Sequence, residues 1–171
     1  MHVHTKYSQD SLSEPKKIAR FAKKRGLDGI AVTDHDTIEG WSEMIKVGKE
    51  FELKVVKGVE IKINPCSKDS FEILALFLSE GIKSNELFEI LDEIKSQDGI
   101  IALPHPFDPF KGNPKEIRKI LERVDAVEVF NSRVPASVYN RKALSFAKKH
   151  GLGMIGGSDA HTEREVGNAY T

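Results

Sequence analysis

Apolar runs of strand length recur along the chain at nearly even intervals, and this repeat constrains the fold more than any other feature. The runs are Gly29–Thr33, Val55–Ile61, Phe71–Phe77, Gly99–Leu103, Ala126–Phe130 and Gly153–Gly157, with a very short one at His2–His4. Several are continuously hydrophobic rather than alternating, which is typical of strands buried on both faces. The repeat therefore predicts an α/β fold built on parallel strands.

Amphipathic segments separate most of these runs and predict helices. The expected helices are Glu39–Phe51, Asn85–Gln97, Pro114–Arg123 and Ala136–His150, after a first helix that begins at Ser13 and ends at Gly26. Ser13 is the expected N-cap of that first helix, because Pro15 follows in the first turn. Alternating strands and helices with short connections indicate a βα barrel or an open α/β sheet. The connection from Ile63 to Phe71 is too short for a crossover helix, so it predicts either a hairpin or a distortion of the barrel.

Composition bounds the class of protein. The 171 residues are 39% hydrophobic and 30% charged, which suits one globular domain over residues 1–171. No run is long enough for a transmembrane helix, and a net charge of zero gives no general case for nucleic-acid or membrane binding. The single cysteine, Cys66, excludes an internal disulfide and fits a reducing compartment. We therefore expect a cytoplasmic protein, with its oligomeric state left open.

Histidines and carboxylates collect at the ends of the apolar runs. Five of the six histidines stand there, together with two acidic residues: His2, His4, His35, Glu60, His105, Asp159 and His161. Because the carboxyl ends of parallel strands form one face, these side chains should converge in space. Imidazole and carboxylate ligands without thiolates suit Zn²⁺, Mn²⁺ or Fe²⁺. The surplus of ligands over the needs of one ion predicts two or three divalent ions, with Glu60 and Asp159 as bridges.

Two further acidic residues each have two possible roles. Asp10 is either a ligand or the cap of a turn in Tyr-Ser-Gln-Asp-Ser. Glu72 begins a predicted strand and is either a ligand or a solvent-facing residue of a sheet edge. His150, near the end of a predicted helix, is expected to interact with the helix dipole rather than with a metal.

An ordered set of motifs carries a family resemblance over nearly the whole chain. The motifs are His2-Val-His4 with Asp10, Gly26–Asp36, Gly58-Val-Glu60, Pro104-His-Pro106 and Gly157-Ser-Asp-Ala-His161. Together they resemble the PHP (polymerase and histidinol phosphatase) family. The resemblance implies a distorted (β/α)7 barrel, compact or trimmed at its ends. It also implies metal-dependent hydrolysis of a phosphate ester such as histidinol phosphate, a nucleotide or a short oligonucleotide.

Related domains occur in bacterial replicative polymerases. The resemblance therefore carries an alternative function, a non-catalytic metal-binding accessory domain of a polymerase- or repair-associated assembly. The family implies one metal held by His2, His4, Glu60 and Asp159, a second held by Glu60 and His105, and a third held by Asp10, His35 and His161. Histidine is frequent in the family where Glu72 stands, so glutamate either coordinates the second metal or weakens its site.

The remaining expectations concern catalysis and substrate. Asp34, His35 and His105 are the expected catalytic residues, with Asp34 fixing the tautomer of an imidazole. Asn131 and Arg133 follow a strand on the same face and are the expected substrate-binding residues. Arginine can hold a phosphate through two parallel hydrogen bonds, whereas the alternative for Arg133 is a surface ion pair. The alternative for Asn131 is to orient a ligand. The expected partner is a small phosphorylated molecule or nucleotide.

Overall fold

The computed structural model describes residues 1–171 as one curled sheet with helices packed against it. The helices are α1 Pro15–Lys24, α2 Gly40–Glu50, α3 Leu87–Ser96, α4 Pro114–Ile117 and α5 Ser137–His150, and a 3-10 helix at Arg118–Arg123 continues α4. The strands are β1 Gly29–Val32, β2 Lys54–Ile63, β3 Phe71–Leu76, β4 Ile100–Leu103, β5 Ala126–Asn131 and β6 Gly153–Gly157. None of the helices has the length and apolar character needed to cross a lipid bilayer.

The six strands pair in chain order, and five of them run in the same direction. Strand β3 is the exception, antiparallel to both β2 and β4. Ile63 pairs with Phe71 across the turn, so of the two alternatives predicted for this connection the hairpin is confirmed. The reversal follows from the short connection, because a parallel neighbour would need a crossover of a dozen or more residues.

The expected seventh strand at His2–His4 is reduced to a bridge at one residue. Val3 bridges Val32 at the end of β1 and Ala160 just after β6. The amide of His4 donates to the Ala160 carbonyl at 2.9 Å, and the amide of Thr33 donates to the Val3 carbonyl at 2.9 Å. The first residues of the chain therefore lie between the two edges of the sheet.

The concave face of the sheet has an apolar end and a polar end. Its apolar end is a small cluster of Ala31, Leu74, Leu76, Ala102 and Ala126, whereas the larger core of 30 buried residues fills the space between sheet and helices. Cross-strand pairing sets Glu60 opposite Leu74, so the two side chains share a face. Side chains alternate along a strand, which places Glu72 and Glu128 on this concave face as well. Acidic groups thus line the interior beyond the apolar cluster.

The start of α1 differs from the prediction. Glu14 is the N-cap, without a capping side-chain bond, and Pro15 is the first helical residue. The hydroxyl of Ser13 donates instead to the backbone carbonyl of His161 at 3.1 Å. Ser13 is therefore not the N-cap, because the loop that carries His161 offers its hydroxyl an acceptor.

Candidate metal centre

All nine candidate ligands lie at one end of the sheet, where the parallel strands have their carboxyl ends and the antiparallel β3 has its amino end. Their ligand atoms form three groups, each with members within 4.8 Å of one another: His2, His4, Glu60 and Asp159; Glu60, Glu72 and His105; His4, Asp10, His35 and His161. We call these the first, second and third groups. Asp10 and Glu72, for which the sequence allowed a purely structural role, each lie in a group with two or more histidines or carboxylates.

Two residues are shared between groups. Glu60 lies 3.0 Å from His2 Nε2 through Oε2 and 3.1 Å from His105 Nε2 through Oε1. One carboxylate therefore faces two groups, the position expected of a bridge. His4 is shared by the first and third groups. Asp159, the other expected bridge, belongs to the first group, and its Oδ1 lies 3.5 Å from His161 Nδ1.

Three imidazoles are oriented by bonds at Nδ1. His2 Nδ1 lies 3.1 Å from Glu128 Oε1, His4 Nδ1 lies 3.0 Å from Ser8 Oγ, and His161 Nδ1 lies 2.9 Å from the Asp159 carbonyl. Carboxylate and carbonyl oxygens accept only, and the Ser8 hydroxyl donates to Asp34. Each Nδ1 is therefore the protonated nitrogen of the neutral ring, and Nε2 presents its lone pair to the ligand groups.

Buried polar atoms without partners provide the test of whether these residues fit a metal. Five buried side-chain atoms have no hydrogen-bond partner: Glu116 Oε1, which lies outside the ligand groups, and four others, His35 Nδ1, Glu72 Oε2, His105 Nδ1 and Asp159 Oδ1. Such an atom costs about 1–3 kcal/mol when nothing satisfies it. All four belong to the three groups, where a cation would satisfy the carboxylate oxygens. The donor set of imidazoles and carboxylates fits divalent ions.

The electrostatics of the first group favour positive charge. Burial raises the pKa of Glu60, but the facing charge of His2 and hydrogen bonds from the rings hold it well below the usual range. Burial lowers the pKa of His2, but the carboxylates of Glu60 and Asp159 outweigh burial and raise it well above the ordinary value. The same carboxylates that stabilise an imidazolium would stabilise a metal ion.

The third group is the most accessible. The side chains of Asp10 and His35 are 52% and 13% exposed, whereas those of His2, Glu60 and Asp159 in the first group are at most 3% exposed. The pKa of His35 is lowered to about 4, mainly by burial, so this ring is neutral at pH 7. A neutral imidazole beside an exposed carboxylate can take up a metal directly from solvent.

Asp34 contacts different partners from those expected. Its Oδ1 accepts the Thr5 amide at 2.6 Å and the Ser8 hydroxyl at 3.2 Å, and its Oδ2 accepts the Thr5 hydroxyl at 2.8 Å. Ser8 in turn contacts His4 Nδ1. Asp34 therefore orients His4 through Ser8, rather than the adjacent imidazole of His35.

Glu128 is a buried residue of the centre that sequence reasoning missed. Its Oε1 faces His2, while its Oε2 accepts the His105 amide at 2.9 Å and the Asn131 side-chain amide at 2.8 Å. The signal was present, because an acidic residue in the apolar strand Ala-Val-Glu-Val-Phe needs a buried partner. Asn131 also donates to Asp159 Oδ2 at 3.3 Å, which fits orientation of ligands.

Arg133 lies on a cleft of about 250 Å³ that reaches the first and second groups. His105, Phe110, Lys111, Arg133, Pro135 and Asp159 are among its lining residues. Arg133 Nη1 lies 3.5 Å from the Asp159 carbonyl and 3.8 Å from Glu165 Oε2, so its ion pair is loose. Phe110 is 88% exposed at the rim of the cleft. Phe107, in contrast, packs edge-on against Phe146 and anchors the loop.

Two of the ligands have left-handed backbone. The φ angle is 28° at His105 and 51° at Asp159. Residues with a Cβ rarely adopt this region, and each such residue costs of order 1–3 kcal/mol. Strain at these positions is compatible with the fold because hydrogen bonds hold both loops, such as that from the His105 amide to Glu128.

The chain matches a known protein family over most of its length. The family model described as the PHP domain matches residues 1–132, and one described as PHP-associated matches residues 138–171. The chain therefore belongs to the PHP family, as its motifs predicted. An uncharacterized protein of Methanocaldococcus jannaschii is 37% identical over 161 residues, which cover 85% of this chain and 88% of that protein.

Solved structures show the same fold. A candidate metal-dependent phosphoesterase of Bifidobacterium adolescentis has a TM-score of 0.76 at 19% identity, covering 95% of this chain and 87% of the other. A lesion-specific endonuclease of Pyrococcus furiosus has a TM-score of 0.65 at 18% identity, covering 96% of this chain and 48% of the other.

Part of the chain is also similar in sequence to a polymerase. A PolC-type DNA polymerase III of Mycoplasma genitalium is 36% identical over 61 residues, which cover 35% of this chain and 4% of the polymerase.

Proposed function

We propose that this protein is a metal-dependent phosphoesterase that hydrolyses a phosphate ester with activated water. The observation that carries the proposal is the position of the Glu60 carboxylate, whose two oxygens face His2 of the first group and His105 of the second. A shared carboxylate would hold two ions side by side, and ions about 3.5–4 Å apart suit in-line displacement at phosphorus. Divalent ions in such a site act as Lewis acids and lower the pKa of water to about 7.

The residues of this chain divide the remaining work. The first group would hold its ion deepest, because His2, His4 and Glu60 are fully buried. His35 and His105 face the adjacent groups from opposite sides of Glu60 and would complete the third and second sites. Arg133 would neutralise the phosphoryl oxygens from the cleft. Asp34, Glu128 and Asn131 would hold the metal ligands in their orientations without contacting the substrate.

An accessory domain without turnover is the second candidate. The short matches to bacterial DNA polymerases favour it. It would bind metal through the same ligands yet hydrolyse no phosphoester. Against it, the nine candidate ligands fill three groups, and the ligand atoms of each group lie within 4.8 Å of one another.

We further propose that residues 1–171 form a single domain and that the Val3 bridge takes the place of the seventh strand of a (β/α)7 barrel.

Hydrolysis of chromogenic esters tests the choice. The purified chain, loaded separately with Mn²⁺, Zn²⁺ or Fe²⁺, would be assayed on p-nitrophenyl phosphate and bis-p-nitrophenyl phosphate, together with nucleotides and short oligonucleotides. We expect turnover that is abolished by chelation, restored by metal, and lost in Asp159→Asn. His150→Ala is the matched control, because His150 lies on α5 and outside the three groups. Metal binding without hydrolysis of any ester would instead favour the accessory domain.

A further inference from the structure

Lys111 places an ammonium group beside the ligand groups without a hydrogen-bond partner. Its Nζ lies 3.8 Å from Asp159 Oδ2, beyond hydrogen-bonding distance, and its side chain is 37% exposed in the cleft that contains Arg133. The same cleft is lined by Asp159 of the first group and His105 of the second, so the ammonium group lies beside both groups.

The loop fixes Lys111 relative to a metal ligand. Asp108 is buried, and its Oδ1 accepts the backbone amides of Phe110 at 2.8 Å and Lys111 at 3.1 Å. The amide of Asp108 donates to the His105 carbonyl at 2.9 Å, and that of Gly112 donates to the Asp108 carbonyl at 2.9 Å. These bonds attach the backbone of Lys111 to that of His105. The lysine is thus built into the centre rather than carried on a free surface loop.

The charge of the ligand groups indicates what Lys111 would bind. Four carboxylates belong to the ligand groups: Asp10, Glu60, Glu72 and Asp159. Ions bound at these groups would take up the charge of the carboxylates, including that of Asp159, which now faces Lys111. The ammonium group would then be left without a counter-charge unless an anion entered the cleft. A phosphoryl group carries that negative charge on several oxygens.

We propose that Lys111 is a substrate-binding residue that holds the phosphoryl oxygens beside the metal centre. This inference rests on the proposed hydrolase function and adds a second cation to Arg133 in the same cleft. Lysine acts on phosphate as a point charge with three donors, whereas arginine binds in a fixed fork. The ligand class is a phosphate monoester or inorganic phosphate, in which at least two oxygens are free to meet these cations.

Binding of inorganic phosphate tests the inference without turnover. Isothermal titration would compare the manganese-loaded wild type with Lys111→Met, Lys111→Gln and Lys111→Arg. A hydrogen bond to a charged group contributes about 1.5–3 kcal/mol, so the first two variants should bind phosphate about 10- to 100-fold more weakly. Lys111→Arg should retain most of the affinity. Lys119→Met is the control, because Lys119 Nζ lies 2.6 Å from Glu116 Oε2 and outside the cleft.

The outcomes separate the two proposals. Unchanged phosphate affinity in Lys111→Met and Lys111→Gln, with wild-type metal content, would overturn the role of Lys111. So would loss of bound metal in these variants, or a metal-loaded wild type that binds no phosphate. Phosphate binding that depends on Lys111 without hydrolysis of any ester would uphold this inference while the hydrolase function fails. Where hydrolysis occurs, the same variants should raise KM for the ester.

Discussion

The carboxylate of Glu128 and the imidazole of His2 meet 3.1 Å apart, between Oε1 and Nδ1, with both side chains fully buried. This contact selects the tautomer in which His2 Nε2 is free to bind a metal. Glu128 Oε2 also accepts the His105 amide, so one carboxylate orients two groups of ligands. Residues in such positions matter nearly as much to metal affinity as the ligands themselves.

Glu128→Gln should therefore weaken metal binding. The glutamine oxygen can accept from His2 Nδ1, but the amide carries no negative charge to balance the ion. Metal affinity should therefore fall about 10- to 100-fold. Competition with a chromogenic chelator measures the affinity. Glu50→Gln is the control, since Glu50 is exposed and pairs only loosely with Lys16. Equal metal affinities for the two variants would show that Glu128 does not support metal binding.

Glu72→Ala should reduce the number of bound ions. Glu72 Oε2 lies 3.5 Å from His105 Nε2, and only Glu60 and His105 would remain in the second group. Elemental analysis after dialysis should find one ion fewer per chain, while the first group keeps its ion. An unchanged metal count would show that Glu72 acts only as a buried carboxylate.

Metal removal should destabilise the fold. Glu60, Glu72 and Asp159 are buried close together, and a bound cation offsets their mutual repulsion. A metal at 100 times its dissociation constant stabilises by about 2.7 kcal/mol. For a chain of this length that corresponds to about 5–10 °C in Tm. Thermal melts with chelator, and with metal restored, test this, and superimposable curves would contradict it.

Metal binding should release protons at pH 7. The pKa of His2 is raised well above its ordinary value, and the pKa values of His4 and His105 are also raised despite burial. A raised pKa means that a ring keeps the proton on Nε2 to higher pH, and an incoming ion must displace that proton, so affinity should increase as pH rises through the folded-state pKa values. Calorimetry in two buffers of different ionisation enthalpy counts the protons, and a buffer-independent enthalpy would refute the displacement.

Gly157→Ala should damage the centre through sterics alone. A Cβ on Gly157 would overlap the Glu128 carboxylate and crowd the Cβ of His2. Both metal affinity and Tm should fall. Gly151→Ala is the control, because no atom lies within 4 Å of a Cβ added at Gly151. Its φ of 65° disfavours a residue with a Cβ, so this control should cost about 1–2 kcal/mol and leave metal affinity intact.

Periodicity and strand-end position predicted most of the strands and the convergence of the histidines. Those signals are local, since each needs only a run of apolar residues and its flanks. The short loop before Phe71 predicted either a hairpin or a distorted barrel, and the structure has the hairpin, which reverses β3. Ser13 was misassigned, since its partner, the carbonyl of His161, lies 148 positions away. The apolar strand around Glu128 indicates that this carboxylate is buried, but the groups that Glu128 and Lys111 face are distant in the sequence and follow only from the assembled sheet.

The Val3 bridge has a consequence for how the centre is assembled. His2 and Asp159 come from opposite ends of the chain and meet only when Val3 has joined Val32 and Ala160. Contacts so distant in sequence close a large loop and tend to form late in folding. The first group would then be completed only after the strands between its members have paired. Metal capture at that group would mark a chain that has finished folding.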